Sequence, residues 1–196
     1  MMIGVFYNHK PLLNTLVLAF NNDEIIRETK TVDYWIGFNA KDEVVGINIL
    51  NPSIKLPSGY LAYTKEINDL VVKLTGRDFS QYINQNNFVV AGVVECNKIE
   101  GTHLSKCLVN NGKEQLQIIC GAKNVRAGLK VVLAQIGAIM PNGLIIKQGK
   151  LQNLDSFGML CSQKELNITG FNETGIIELD DQYVVGQPFN LIFKTH

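Results

Sequence analysis

The sequence predicts a mainly β protein in two parts: a small α+β domain over residues 1–87, then a closed five-stranded barrel with extra C-terminal strands in residues 88–196. Three observations carry this prediction. Short apolar or alternating runs recur along the chain, bounded by Asn, Asp, Pro and Gly, as strands require. One stretch near residue 70 has the period of a helix instead. From Phe88 onward the pattern is nearly all β, and Asn-Gly pairs punctuate it as hairpin turns do.

In the first part, "MIGVFYN", "TLVLAF", "VDYWIGF" and "EVVGINIL" read as strands. In "TKEINDLVVKLTG", Ile67, Leu70, Val71 and Leu74 fall at i, i+3, i+4 and i+7, on one helical face. Thr64 is placed to cap the helix N-terminus, Glu66 lies in the first turn, and Gly76 closes the end. The polar run "QYINQNN" reads as a linker or long turn. A helix packed on a sheet accounts for the unit.

In the second part, "FVVAGVVEC", "LQIIC", "KVVLAQIGAIM", "GLIIKQGKL" and "GMLCS" are the five expected strands, with turns at Asn111-Gly112 and Asn142-Gly143. Closure into a barrel removes exposed edges, so a five-stranded Greek-key barrel, the OB-fold, fits better than a sandwich. "GIIELD" and "QPFNLIFK" read as further strands after it.

Composition excludes several classes. A chain of 196 residues with 46% hydrophobic content has enough apolar material for a core. The start "MMIGVFYNHK" lacks the pattern of a signal peptide, and no window reaches the ~18 apolar residues of a membrane span. Cys96, Cys107, Cys120 and Cys161 lack C-x-x-C spacing, and His9, His103 and His196 are far apart in sequence. Small structural thiols in a reducing, cytoplasmic setting are therefore expected, with no metal and no cofactor. "GLIIKQGK" departs from a P-loop, having five residues between its glycines and Leu151 after the lysine. Neither G-x-S-x-G nor H-E-x-x-H occurs. His103 is a lone loop histidine, and Asp155 and Glu165 read as turn-end carboxylates, so no enzyme is predicted.

The neutral total conceals an asymmetry. Residues 98–164 carry nine basic against three acidic side chains, whereas residues 165–196 carry one against five. A basic barrel is the footprint of a polyanion partner, although a solvated lysine-rich face has the same composition. Phe157 is the one aromatic between Lys98 and Lys164. Single-strand binders stack bases on rings, so a ring-poor basic surface points to phosphate contacts on a folded RNA read by shape.

The run "QIICGAKNVRAGLKVVLAQIGAIMPNGLIIKQGKLQNLDSFGMLCSQKEL" resembles the tRNA-binding OB domain near the N-terminus of bacterial phenylalanyl-tRNA synthetase beta chains. The matching pieces are "CGAKNVRAG", "GAIMPNG", "IKQGKL" and "SFGMLCS-x-KEL", covering about residues 88–166. Related domains occur in methionyl-tRNA synthetases and as free-standing tRNA-binding proteins. The arrangement of a short N-terminal domain with no synthetase body is similar to that of YtpR-type tRNA-binding proteins. The resemblance implies tRNA as partner, no membrane partner, and a non-catalytic role. A homo-oligomer and a translation-machinery protein are further partners that it leaves open. A secretion-related chaperone in the same family makes a peptide-binding barrel the alternative.

The resemblance also places the site residues. Gly158 permits close backbone approach, Ser156 is set to hydrogen-bond phosphate or 2′-hydroxyl groups, and Met159 to offer a soft contact. The alternative is that Met159 fills the barrel end while Gly158 makes a bulge; Cys161 is read as filler. On the loop, Lys123 and Arg126 are set to reach phosphates, ahead of Asn124, which is equally suited to its own turn. Lys147, Lys150 and Lys164 complete the basic set. One loop departs from the family pattern: "GTHLSKC" stands where "HPNADKL" is usual, so that, with Lys106 as the family lysine, Gly101 and Ser105 replace a histidine and an aspartate.

Overall fold

The computed structural model describes residues 2–8, 12–83 and 85–190. It divides into two compact units: residues up to Gln85 together with Asn190, and Asn86–Phe189.

In the first unit, β1 (Gly4–Tyr7), β2 (Thr15–Ala19), β3 (Arg27–Lys30), β4 (Tyr34–Phe38), β5 (Val44–Leu50) and β6 (Gly59–Tyr60) form one sheet in the order β3-β4-β5-β2-β1-β6. The four strands expected from alternation are β1, β2, β4 and β5. Helix α1 (Lys65–Thr75) buries Ile67, Leu70 and Val71 in the same cluster as Val5, Leu16, Leu18, Ile47 and Ile49. Its ends are those expected: Thr64 accepts a hydrogen bond from the Ile67 N–H, and Gly76 is left-handed with φ of 72°.

The second unit is built on β7 (Phe88–Lys98), β8 (Ser105–Asn110), β9 (Gln115–Cys120), β10 (Lys130–Ala134) and the short β13 (Met159–Leu160), in the order β13-β10-β7-β8-β9. A separate hairpin pairs β11 (Gly149–Leu151) with β12 (Leu154–Ser156). The five-stranded sheet curls around Ala91, Val93, Val109, Ile118, Val131 and Leu133, so the barrel core lies between its two edges.

The strands of this unit differ from the sequence expectation in three places. β8, "SKCLVN", was not anticipated and is the fifth strand of the sheet in place of "GLIIKQGKL". That segment contributes only β11 to the separate hairpin. Its Ile146 is instead buried, exchanging backbone hydrogen bonds with Gly137 and Ala138 around the Asn142-Gly143 turn. Third, "GIIELD" and "QPFNLIFK" supply isolated bridges, Lys130 to Leu179 and Val89 to Pro188, and no strand among the described residues. Positive-φ glycines at 170, 175 and 186 break this tail into turns. Residues 191–194 of "QPFNLIFK", like His9 and His196, lie outside the described residues.

Closure of the barrel is done by the segment 155–158. The Phe157 N–H donates to the Gln117 carbonyl at 2.9 Å, and Gln117 Nε2 donates to the Asp155 carbonyl at 2.8 Å. Between them, the Ile119 N–H donates to Ser156 Oγ at 3.1 Å. Ser156 is 4% exposed, and its hydroxyl donates in turn to the Gly158 carbonyl at 3.3 Å. A side chain thus supplies the acceptor that a neighbouring strand would otherwise provide. Gly158 follows with φ of 145°, and a Cβ there would lie 2.9 Å from the Ala134 carbonyl oxygen.

Candidate nucleic-acid interface

The loop Gly121–Leu129 joins β9 to β10 and carries Lys123, Asn124 and Arg126. Its shape is fixed by Val125, which is buried among the barrel residues. Asn124 does not serve its own turn. Its Nδ2 donates to the Ile176 carbonyl at 2.8 Å and to Glu178 Oε1 at 3.0 Å, while its Oδ1 accepts from the Ile176 N–H at 3.0 Å. Gly175 makes room for this, since a Cβ there would stand 2.1 Å from Asn124 Oδ1.

Arg126 meets the same tail. It holds Glu178 in a two-pronged ion pair, Nη1 to Oε1 at 3.2 Å and Nη2 to Oε2 at 2.8 Å. The Arg126 hydrogen bond, with that from Asn124, holds the Glu178 carboxyl below its ordinary range. Lys130 reaches Asp181 Oδ1 at 3.2 Å. Asn172 ties the tail to itself, accepting from the Glu178 N–H and donating to the Thr174 and Ile176 carbonyls. The acidic tail is therefore a clasp over the basic loop. Sequence reasoning found both charge blocks but not their pairing, for which the opposite signs were the available signal.

Beside the clasp lies an open cleft of about 390 Å³, lined among others by Ile119, Ala122, Met159, Ser162, Glu165 and Ile176. Ser162 and Glu165 form a reciprocal cap: Ser162 N–H and Oγ each approach Glu165 Oε2 at 2.7 Å, and the Glu165 N–H donates to Ser162 Oγ at 3.2 Å. The spacing Ser-x-x-Glu signals such a cap in the sequence.

The predicted residues separate into three groups. Met159 lines the cleft, and the exposed cations Lys123 and Lys164 are chain neighbours of the cleft residues Ala122 and Glu165. Neither lysine makes an ion pair among the described residues. Lys147 and Lys150 are exposed but absent from the lining, and Lys150 lies 4.0 Å from Asp155. Ser156, Gly158 and Asn124 are engaged inside the protein. The Ser156 hydroxyl, expected to meet RNA, has its partners within the barrel because β9 is an edge strand with β8 on one side only. Cys161 is fully buried, and burial raises its thiol pKa. In the divergent loop, His103 is exposed and lies against Gly121, while Ser105 is fully buried.

No group of three or more His, Cys, Asp or Glu among the described residues is arranged to hold a metal ion. No described helix is long and apolar enough to cross a membrane.

Residues 88–188 match the family described as "Putative tRNA binding domain". The chain is 34% identical to the putative tRNA-binding protein YtpR of Bacillus subtilis, over 95% of this chain and 99% of that one. It is 35% identical to an uncharacterized protein of Mycoplasma genitalium, over 95% of this chain and 87% of the relative. The phenylalanine–tRNA ligase beta subunit of Sulfurimonas denitrificans is 45% identical, over 55% of this chain and 14% of the subunit.

Proposed function

The chain belongs to the putative tRNA binding domain family, and from that premise we propose that it binds tRNA without catalysing a reaction on it. Binding runs through the barrel end where β9, β13 and the 121–129 loop meet. The observation that carries this reading is the open cleft with Met159 in its lining, flanked in sequence by the exposed Lys123 and Lys164, which make no ion pair among the described residues. Two ammonium groups on residues next to the lining of a ring-free cleft suit phosphates on either side of a sugar or base edge. Arg126 belongs to the site in a second sense: it is turned to Glu178, so it either orders the loop or exchanges its carboxylate for a phosphate on binding. Lys147 and Lys150 extend the positive surface beyond the cleft. A cytoplasmic location follows from the proposed ligand.

A titration with tRNA and poly-uridine over a salt series tests the reading. Tight binding of tRNA, weaker binding of poly-uridine and a steep salt dependence are expected. Equal affinity for both removes shape recognition. Binding of apolar peptides with no affinity for RNA makes the barrel a peptide receptor.

A further inference from the structure

We propose that Cys96 and Cys107 are a thiol oxidation site, which a small peroxide converts reversibly into an intramolecular disulfide and which is coupled to the basic loop through Val125. The two residues stand directly opposite each other in the antiparallel register of β7 and β8. Opposed residues of such a ladder have Cα atoms about 4.5 or 5.5 Å apart, depending on the pair type. Both values fall inside the roughly 4.4–6.8 Å that a disulfide spans. The sulfurs already lie 3.6 Å apart, so side-chain rotation suffices and the strands need not move. Cys120 is the nearest competitor by position, but it pairs with Ser105, whereas Cys107 pairs with Ile118. It is therefore diagonal to Cys107, and diagonal neighbours lie about 7–8 Å apart, beyond disulfide reach.

The pair is asymmetric in the way that peroxide chemistry needs. Cys107 is 1% exposed, and burial raises its thiol pKa, so it waits as a thiol. Cys96 is partly exposed and is the sulfur an oxidant meets first. The Cys96 thiolate attacks one peroxide oxygen, breaking the O–O bond; the sulfur keeps one hydroxyl as a sulfenic acid, and the other leaves as hydroxide and takes up a proton. The Cys107 sulfur then attacks the Cys96 sulfur. The S–O bond breaks, and the departing hydroxide takes the Cys107 proton. Two thiols lose two electrons, and one peroxide becomes two waters.

The reduced state has a structural duty that oxidation ends. Cys96 Sγ donates to the Val125 carbonyl at 3.6 Å, between Asn124 and Arg126. A disulfide sulfur has no proton to donate, so the loop loses that tether.

The experiment treats the reduced full-length chain with hydrogen peroxide, blocks remaining thiols and maps the products by mass spectrometry without reduction. A product lighter by two hydrogens, with the Cys96 and Cys107 peptides linked and dithiothreitol restoring the thiols, is expected. The link should vanish in Cys96→Ser and Cys107→Ser and persist in Cys120→Ser. Oxygen addition at Cys96 without a link, or a link through Cys120, overturns the site; wild-type mapping alone decides this if a variant fails to fold. Hydrogen–deuterium exchange on the oxidised wild type reads the coupling, with amides 123–126 expected to exchange several-fold faster. Unchanged exchange there overturns the coupling to the loop. Neither readout uses RNA, so both are independent of the proposed function.

Discussion

At Ser156 the β9 backbone meets a hydroxyl where a neighbouring strand would offer a carbonyl. Removing that hydroxyl leaves the Ile119 N–H buried without an acceptor, which costs about 1–3 kcal/mol. Ser156→Ala is therefore expected to lower the melting temperature, and the folded fraction should keep its tRNA affinity. Gly158→Ala should destabilise by at least about 1 kcal/mol, because a Cβ meets the Ala134 carbonyl at a φ that L residues avoid. Met159→Ala should do the reverse: its partly exposed side chain lines the cleft, so tRNA binding weakens while stability changes less than the about 2–5 kcal/mol of a buried methionine. Melting curves and tRNA titrations on the same three variants separate the roles. Normal tRNA binding by folded Met159→Ala would remove it from the site. The sequence marked "SFGM" as special but not in which sense, since a serine hydroxyl serves an RNA phosphate and an orphan N–H equally well. Which one it meets depends on β9, some forty residues earlier in the chain.

Elements were legible where their signals are local. Helix α1 carries its period, cap residue and closing glycine within thirteen residues, and all three act as expected. β3 was missed because "RETK" is exposed on both faces, leaving no alternation to see. β8 was missed because its inward positions are Ser105, Cys107 and Val109, the first two small and weakly apolar. The clasp is the hardest kind of element to foresee, being held by Asn124 and Arg126 across more than fifty residues. It also has a pH signature. The Glu178 carboxyl titrates below its ordinary value of about 4.3, so the ionised form binds best to the folded chain. Its stabilisation is present above that ordinary value and is lost as pH falls through the lowered folded-state value. Comparing wild type with Glu178→Gln, the difference in melting temperature should be constant near neutrality and shrink in acid. Its size should be modest, because Arg126 is largely solvent-exposed. A difference that persists unchanged to low pH would show that the charge pair with Arg126 is not its source.

At the scale of the whole molecule, a net charge of zero conceals a basic barrel, an acidic tail and a slightly acidic N-terminal part, and the tail is partly spent on neutralising the loop. The cations free to meet RNA are thus fewer than the sequence count. Lys123, Lys147 and Lys164 have no carboxylate partner among the described residues, whereas Arg126 and Lys130 do. The salt dependence of tRNA binding should reflect this division. Lys123→Ala removes one phosphate contact and should lower the slope of log affinity against log salt by roughly 0.7–0.9, with an unchanged melting temperature. Glu178→Gln acts in the opposite direction: it frees the Arg126 guanidinium without removing the Asn124 tether to Ile176. If Arg126 exchanges its carboxylate for a phosphate, that variant binds tRNA more tightly. If Arg126 only orders the loop, it binds no better than wild type. The same balance can be read in a fragment, because Asn86–Phe189 contains the barrel, both partners of the clasp and the whole of the family match. We expect this fragment to fold alone and to reproduce the affinity and salt slope of the full chain. Circular dichroism establishes the first point and tRNA titration the second. A folded fragment that no longer binds would place part of the RNA contact on the N-terminal unit, on surfaces that neither the basic loop nor the cleft explains.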